Sequence, residues 1–229
     1  MSIGDAEIKT QERVIRFFKD PEILSYQYIG NLSEQQNKNI KEDRLRQYLR
    51  LKGYADKIID GAITQLQQEA GNLSRGLYDA NKTVYSRLKY GIPVSECPEK
   101  RPVTVQLVDE ENPLNNDFAI AEEVTVVEQS EKRPDLVVYL NGIAVAVIEL
   151  KRSSISVSEG IRQNLTNQKN SFIQGFFTTM QFCMAGNESE GLRYGTLLTG
   201  EKFYMEWKDD GFKEHEDERD PVDVRISKT

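Results

Sequence analysis

Cysteine, histidine and long apolar runs are scarce in this chain of 229 residues. Its two cysteines, Cys97 and Cys183, form no CxxC pair, and its one histidine is His215. These side chains are too few and too far apart for a zinc site built from Cys and His ligands. Two reduced thiols in a cytoplasmic protein are the state that this cysteine usage favours.

No stretch of the sequence reaches the roughly eighteen apolar residues that a bilayer-spanning helix requires. The first five residues, Met1 to Asp5, lack the basic and apolar regions of a secretory signal peptide. We therefore expect a cytoplasmic protein without a membrane partner. A chain with 38% hydrophobic and 29% charged residues can still bury a sizeable core.

The net charge of −7 is concentrated near the C-terminus. Residues 209–229 contain eight acids and four bases, which accounts for −4 of that total. The other residues are close to neutral, so the chain carries no overall basic signal for nucleic acid. Any DNA-binding site must be a local patch.

Apolar spacing predicts helices first and strands afterwards. Glycine follows or ends three of the four N-terminal helices, and three prolines between residues 92 and 102 mark the change to an extended pattern. The predicted helices are 6–19, 36–52, 55–70, 76–90 and a later one from about Ser156 to Phe172. The predicted strands are 103–108, 118–127, 136–140, 143–150, 178–184, 192–198 and 202–207. This order indicates an α+β fold with a mixed sheet.

The most informative segment is a predicted hairpin over residues 133–152. Asn141-Gly142 is a strong signal for a tight turn, because both residues tolerate positive φ. On the second strand, Glu149 and Lys151 share a face and end an otherwise apolar run. Asp135 begins the partner strand, so a second carboxylate can come close to the first. Two carboxylates and a lysine form an oxygen-ligand site suited to Mg²⁺ and to phosphate chemistry.

An isolated Glu-x-Lys is more often a salt bridge at a strand end or a pair of solvated charges. The register of the hairpin distinguishes the two interpretations. A simple two-residue loop at Asn141-Gly142 would place Asp135 opposite Ile148, and so on the other face from Glu149. The site therefore requires a longer loop, a β-bulge or a bend in the first strand, and we predict one of these.

These residues resemble a known pattern. Pro134-Asp135, followed after a hairpin by Glu149-Leu150-Lys151, is similar to the PD-(D/E)xK nuclease motif. The surrounding sequence, from about Thr10 to Lys208, resembles the N-terminal endonuclease domain of the restriction (R) subunit of type I restriction-modification enzymes. The other segments that carry this resemblance are Asn116-Asp117-Phe118, Gly186-Asn187 and Gly191-Leu192-Arg193-Tyr194-Gly195.

The resemblance implies roles for particular residues. Asp135 and Glu149 would bind Mg²⁺ together with the backbone carbonyl of Leu150, and Lys151 would polarise the attacking water or stabilise charge on the phosphate. The family also has a Gln-x-x-x-Tyr pattern on the next helix. The matching glutamine is Gln163, with Gln168 as a lower-ranked alternative.

Two further positions are less clear in the resemblance. Asn167 occupies the position of the tyrosine in Gln-x-x-x-Tyr, which puts that second role in doubt. An acid from an early helix can complete such a metal site. Glu12 is the candidate, although it could equally be an ordinary solvated helix residue.

Basic residues near the motif are candidates for DNA phosphate contacts, although each of them could equally be a solvated surface charge. They are Lys132, Arg133, Arg152, Arg162 and Lys169.

The resemblance also implies a domain organisation and a function. We expect a helical region at 1–101, a nuclease core at 102–208 and a charged tail at 209–229 that leads to a motor outside this chain. The implied function is Mg²⁺-dependent, non-specific cleavage of unmodified double-stranded DNA after translocation. ATP would be used only by the full-length subunit, and the methylation and specificity subunits would be partners. The alternative is an inactive module of the same fold that docks DNA, the motor or a partner subunit.

Overall fold

The structure is a computed structural model that describes residues 3–97 and 101–208. In these two ranges five α-helices occur: α1 (Ile3–Lys19), α2 (Glu42–Leu51), α3 (Asp56–Gly71), α4 (Leu77–Tyr90) and α5 (Val157–Asn167). The first six strands are β1 (Gln27–Asn31), β2 (Ile92–Val94), β3 (Val103–Val105), β4 (Phe118–Glu122), β5 (Val126–Val127) and β6 (Glu131–Lys132). The remaining strands are β7 (Leu136–Leu140), β8 (Ile143–Leu150), β9 (Phe182–Asn187), β10 (Gly191–Gly195) and β11 (Met205–Glu206).

Seven strands form one mixed sheet in the order β1-β4-β7-β8-β9-β10-β11. The pairs β1–β4 and β8–β9 are parallel, and the other neighbouring strands are antiparallel. The predicted α+β class with a mixed sheet is therefore confirmed. The nearly continuous apolar sequence of β8 fits a central strand that is covered on both faces.

Each face of the sheet packs against its own helix. On one face, Val14 and Phe17 of α1 join a cluster with Leu136, Ile148 and Leu150. On the other face, α5 packs against β8 and β9. A separate cluster joins α2, α3 and α4 to the small β2–β3 sheet. No helix among the described residues is both long and apolar enough to cross a bilayer.

The β7–β8 hairpin contains the predicted irregularity. Asn141 and Gly142 have φ of 52° and 83°, as a tight two-residue turn requires. Tyr139 pairs with Ala144, but Val138 pairs with Ala146, so Val145 is an extra, bulged residue. The prediction of a loop extension, bulge or bend is thus confirmed as a bulge.

The bulge corrects the register at the far end of the hairpin. Beyond it, Leu136 pairs with Ile148. The next residues outward, Asp135 and Glu149, therefore stand opposite each other and share a face of the sheet. One inserted residue brings the two acids together.

Several predicted elements differ from the structure for identifiable reasons. The helix predicted from residue 36 begins at Glu42, because Ile40 forms a β-bridge with Ile143 and keeps the preceding segment extended. The helix predicted to reach Phe172 ends at Asn167. Two 3₁₀ turns shorten the later strands, one at Gln174–Thr179 and one at Glu201–Phe203.

Strand β1 was not predicted from the sequence. It is short and half exposed, and its sequence QYIGN lacks a clear alternation. It joins the main sheet beside β4, so the predicted division at residue 101 does not coincide with an edge of the sheet. The predicted charged tail at 209–229 lies outside the described residues.

Candidate active site

Three charged side chains meet where β8 ends. The Asp135 carboxylate accepts the backbone N–H of Leu150 through Oδ2 at 2.7 Å. The ammonium nitrogen of Lys151 lies 4.0 Å from Asp135 Oδ2 and 3.9 Å from Glu149 Oε2. The structure therefore brings together the two acids and the lysine that the sequence singled out.

Glu149 is a buried carboxyl group whose two oxygens differ. Its side chain has 0% exposure, and Oε2 accepts a hydrogen bond from the amide of Gln163 at 2.6 Å. Oε1 is also buried and accepts no hydrogen bond from any described residue, whereas the neighbouring Asp135 side chain is placed to hydrogen-bond with a protonated Glu149. Burial first, and the nearby Asp135 charge second, raise the pKa of Glu149 well above its usual value, while Lys151 acts in the opposite direction. Without a compensating cation, the site therefore favours a protonated Glu149.

Gln163 reaches Glu149 because α5 packs very close to the sheet. A Cβ atom at Gly160 would lie 3.0 Å from the Ala185 Cβ and 3.4 Å from the Glu149 Cβ. Glycine at this position therefore allows the close approach of helix and strand.

The start of α5 is held in place by two hydrogen bonds. Ser156 caps it by accepting the N–H of Ser158, and the Glu190 carboxylate accepts the N–H of Val157 at 3.1 Å. Glu190 lies in the β9–β10 turn, so this turn helps to fix the orientation of the helix that carries Gln163.

Gln168, the alternative glutamine, is bonded elsewhere. It is buried, its amide nitrogen donates to the Asn164 carbonyl at 3.2 Å, and its oxygen accepts the N–H of Leu198 at 2.7 Å. These contacts join α5 to the loop after β10. Asn167 is also buried, and its carbonyl accepts the N–H of Ile173. Of the candidate glutamines, Gln163 is the one in contact with the carboxyl pair.

The structure does not bring Glu12 to the pair. Glu12 is exposed on α1, whereas its neighbour Gln11 donates to Glu122 at 3.0 Å. Within the described part of the chain, no three His, Cys, Asp or Glu side chains lie close enough together to hold a metal ion. A contribution of Glu12 to metal binding stays a prediction.

Glu123 is an acid beside the site that the sequence reasoning missed. Its backbone N–H donates to the Asp135 carbonyl at 2.8 Å, and its carboxylate pairs with Arg133 at 2.7 Å. The signal that could have found it is register, because Glu122 pairs with Leu136 and the next pair outward is Glu123 with Asp135.

The predicted DNA-contacting residues have different environments. Arg162 pairs with Glu159 and Glu201, Arg133 pairs with Glu123, and Lys132 lies over the Phe172 ring at 4.7 Å. Arg152 is half-buried next to Lys151, and Lys169 is exposed just beyond α5. Two existing ion pairs make Arg162 the weakest candidate, and the role of all five in DNA binding stays a prediction.

Comparison with known proteins places the chain in a family. Residues 7–203 match the family described as "Type I restriction enzyme R protein N terminus". A protein of Methanocaldococcus jannaschii, provisionally described as a type I restriction enzyme MjaIXP endonuclease subunit, is 33% identical over 96 residues. That alignment covers 38% of this chain and 9% of the relative, so the chain spans a small part of that protein's length. The chain belongs to the family of N-terminal regions of type I restriction enzyme R proteins.

Proposed function

We propose that this chain is a Mg²⁺-dependent endonuclease domain that hydrolyses phosphodiester bonds of double-stranded DNA. The observation that carries the proposal is the meeting of Asp135, Glu149 and Lys151 at the end of β8, where Glu149 is fully buried. Burying two carboxyl groups side by side costs free energy that one lysine only partly offsets, so the arrangement favours a further cation.

The residues present fit a divalent cation with oxygen ligands. Two carboxylates on one face of the sheet supply negative charge, and the Leu150 backbone lies against the Asp135 carboxylate. Mg²⁺ is commonly bound through one or two carboxylates together with substrate phosphates. Asp135, Glu149 and the carbonyl of Leu150 would hold it. When bound, the ion would lower the pKa of a coordinated water and offset phosphate charge.

The protein side chains would position the groups that react. The oxygen of the attacking water forms a bond to phosphorus and gives up a proton to solvent, one P–O ester bond breaks, and the leaving oxygen takes up a proton from solvent. Lys151, within 4.0 Å of both carboxylates, would place positive charge beside the phosphate or the attacking water. Gln163 would fix the orientation of the Glu149 carboxylate through its amide hydrogen bond.

The wider function follows from the family. We propose that the domain cuts unmodified DNA without sequence preference, after ATP-driven translocation by a motor elsewhere in the full-length R subunit. The methylation and specificity subunits would be its partners and would supply sequence recognition. Arg133, Lys132, Arg152 and Lys169 would contact DNA phosphates near the site.

A second candidate function is a catalytically inactive module that docks DNA, the motor or a partner subunit. The observation that favours it is the separate core of α2, α3 and α4, which includes no residue of the candidate site. The two functions predict different results for the same variants, because docking does not require the charges at the end of β8.

The test is plasmid cleavage by the full-length restriction complex with ATP and Mg²⁺. Asp135→Ala and Lys151→Ala should abolish cleavage while the complex still assembles and translocates. The matched control is Asp117→Ala, which removes a surface acid that pairs with Arg44 in another part of the sheet. Full cleavage by both site variants would remove the nuclease assignment and favour the docking module.

A further inference from the structure

Glu123 lies beside the carboxyl pair and has no role in the mechanism proposed above. It directly follows β4, and its N–H donates to the carbonyl of Asp135 at 2.8 Å. Asp135 in turn stands opposite Glu149 in the hairpin register. Three neighbouring strands, β4, β7 and β8, therefore place an acidic residue at one level of the sheet.

The Glu123 carboxylate is held by an arginine. It accepts from Nε of Arg133 at 2.7 Å, and this arginine is 57% exposed while Glu123 is 25% exposed. Among the described residues, three acids do not come close enough together to share a metal ion. The negative charge of Glu123 still acts on Glu149 and contributes to the raised pKa of that group. Glu123 is thus within electrostatic range of the site, with its carboxylate held by an exposed partner.

The site itself has unused capacity for a cation. Glu149 is fully buried beside Asp135, and its Oε1 accepts no hydrogen bond from the described residues, so a bound cation would offset charge that the protein leaves uncompensated. Mg²⁺ takes about six oxygen ligands, and two carboxylates with one backbone carbonyl leave positions open. Lys151 also offsets part of the negative charge of the pair. A third carboxylate would strengthen binding of a divalent cation here.

We propose that Glu123 is a third acid of the metal site and that Arg133 holds it away until a nucleic-acid phosphate binds Arg133. This inference rests on the proposed function. In the free chain the Arg133–Glu123 pair keeps Mg²⁺ affinity low. A phosphate of bound DNA competes for the guanidinium and releases Glu123 toward the ion. Binding of DNA and of Mg²⁺ therefore favour each other, and the coupling is reciprocal.

Mg²⁺ titration calorimetry on the whole chain tests this directly. We expect Glu123→Gln to weaken Mg²⁺ binding about tenfold and Arg133→Ala to strengthen it about threefold, because one removes an attractive charge and the other removes its competitor. In the double variant the affinity should equal that of Glu123→Gln, since the gain acts through Glu123. The position 123 variants should unfold at temperatures close to that of the parent chain.

Glu122→Gln is the matched control. Glu122 precedes Glu123 in the same segment and has the same charge, but its carboxylate accepts from Tyr28 and Gln11 on the α1 face. Its replacement should change the Mg²⁺ affinity by less than about twofold. If Glu123→Gln does not fold, Glu123→Asn replaces it, because Asn tolerates the positive φ of 49° at this position.

DNA coupling needs a variant that binds without cutting. In a Lys151→Ala background, a short duplex should tighten Mg²⁺ binding about threefold, and Arg133→Ala should remove that effect.

Each outcome has one meaning. If the parent chain binds no Mg²⁺, or if Glu149→Ala leaves binding intact, the metal site and this inference both fail. If Glu149→Ala abolishes binding while Glu123→Gln does not change it, only this inference fails. It also fails if Glu122→Gln loses as much affinity as Glu123→Gln, or if the duplex gives the same effect with and without Arg133.

Discussion

The two ends of the β7–β8 hairpin are both buried and polar, but they satisfy their polar atoms differently. At the turn, the Asn141 side chain is fully buried, and its oxygen accepts the N–H of Asp117 at 2.7 Å. Its amide donates to the Leu107 carbonyl and to Asn116 Oδ1, both at 2.8 Å. At the other end, Glu149 is equally buried, and its Oε1 accepts no hydrogen bond from the part of the chain that the structure describes. The turn end contributes stability, whereas the strand end retains an unsatisfied group that suits ligand binding.

The largest expected effect is the loss of catalysis at the strand end. Glu149→Ala should reduce DNA cleavage by the full-length complex by about a hundredfold to a thousandfold, as the removal of one charge-stabilising group commonly does. Its thermal unfolding should stay close to that of the parent protein, because the deleted group is unfavourably buried. A variant that unfolds readily would instead assign Glu149 to stability.

The next largest effect is expected at the turn. Asn141→Ala should lower the free energy of unfolding by about 3 kcal/mol, since it leaves buried partners unbonded and places alanine at positive φ. Urea denaturation measures this change. The folded fraction should bind Mg²⁺ normally.

Asn141→Gly is the companion variant. Glycine tolerates the positive φ and loses only the hydrogen bonds of the side chain. It should therefore be intermediate in stability, and equal stability of the Gly and Ala variants would show that backbone conformation is unimportant there.

A smaller effect on stability is expected when Glu149 at the strand end is replaced by a neutral side chain. Glu149→Gln should stabilise the metal-free chain at neutral pH by about 1–2 kcal/mol, because a neutral amide replaces an acid that is costly to ionise when buried.

The sign of the pH dependence follows from the raised pKa of Glu149. Both states carry the proton below the ordinary carboxyl pKa of 4.5. As pH rises above that value, the unfolded chain loses its proton first, so stability falls until the folded group ionises as well. Denaturation curves from about pH 4 to pH 8 should show this decline in the parent chain and less of it in the Gln variant. An identical pH profile in both would contradict the assignment.

The smallest effects concern the two glutamines of α5. Gln163→Ala should weaken Mg²⁺ binding about tenfold, in line with the loss of an orienting partner of a metal ligand. Gln168→Ala is the matched control, since its amide bonds the Asn164 carbonyl and the Leu198 N–H instead. It should lower stability by about 1–2 kcal/mol and leave Mg²⁺ affinity unchanged. The reverse pattern would exchange the roles of the two residues.

The two strands of the hairpin could be predicted from the sequence because the residues that define them are close together in the chain. The Asn141-Gly142 turn and the apolar run before Glu149 define both strands at the residues that the structure gives. The sequence predicted that the hairpin contains an irregularity, but it did not predict that the bulge lies at Val145. Nothing in this run of small apolar residues distinguishes the bulged residue from its neighbours.

Non-local contacts explain what the sequence did not reveal. Strand β1 exists because β4 provides a partner, and its own five residues carry little strand signal. The position of Glu123 beside the site is evident only from the pairing of β4 with β7, which places Glu123 opposite Asp135. Glu12 was chosen from helical position and charge alone; it is exposed on α1, and its role in metal binding stays a prediction.

An anomalous difference map from crystals of the chain soaked in Mn²⁺ would show whether the two carboxylates bind a metal ion. We expect a peak within about 2.5 Å of carboxylate oxygens of both Asp135 and Glu149, with Lys151 beside it, and no peak in crystals of Glu149→Ala. Mn²⁺ bound elsewhere, with these two carboxylates left free of metal, would rule out the proposed metal site.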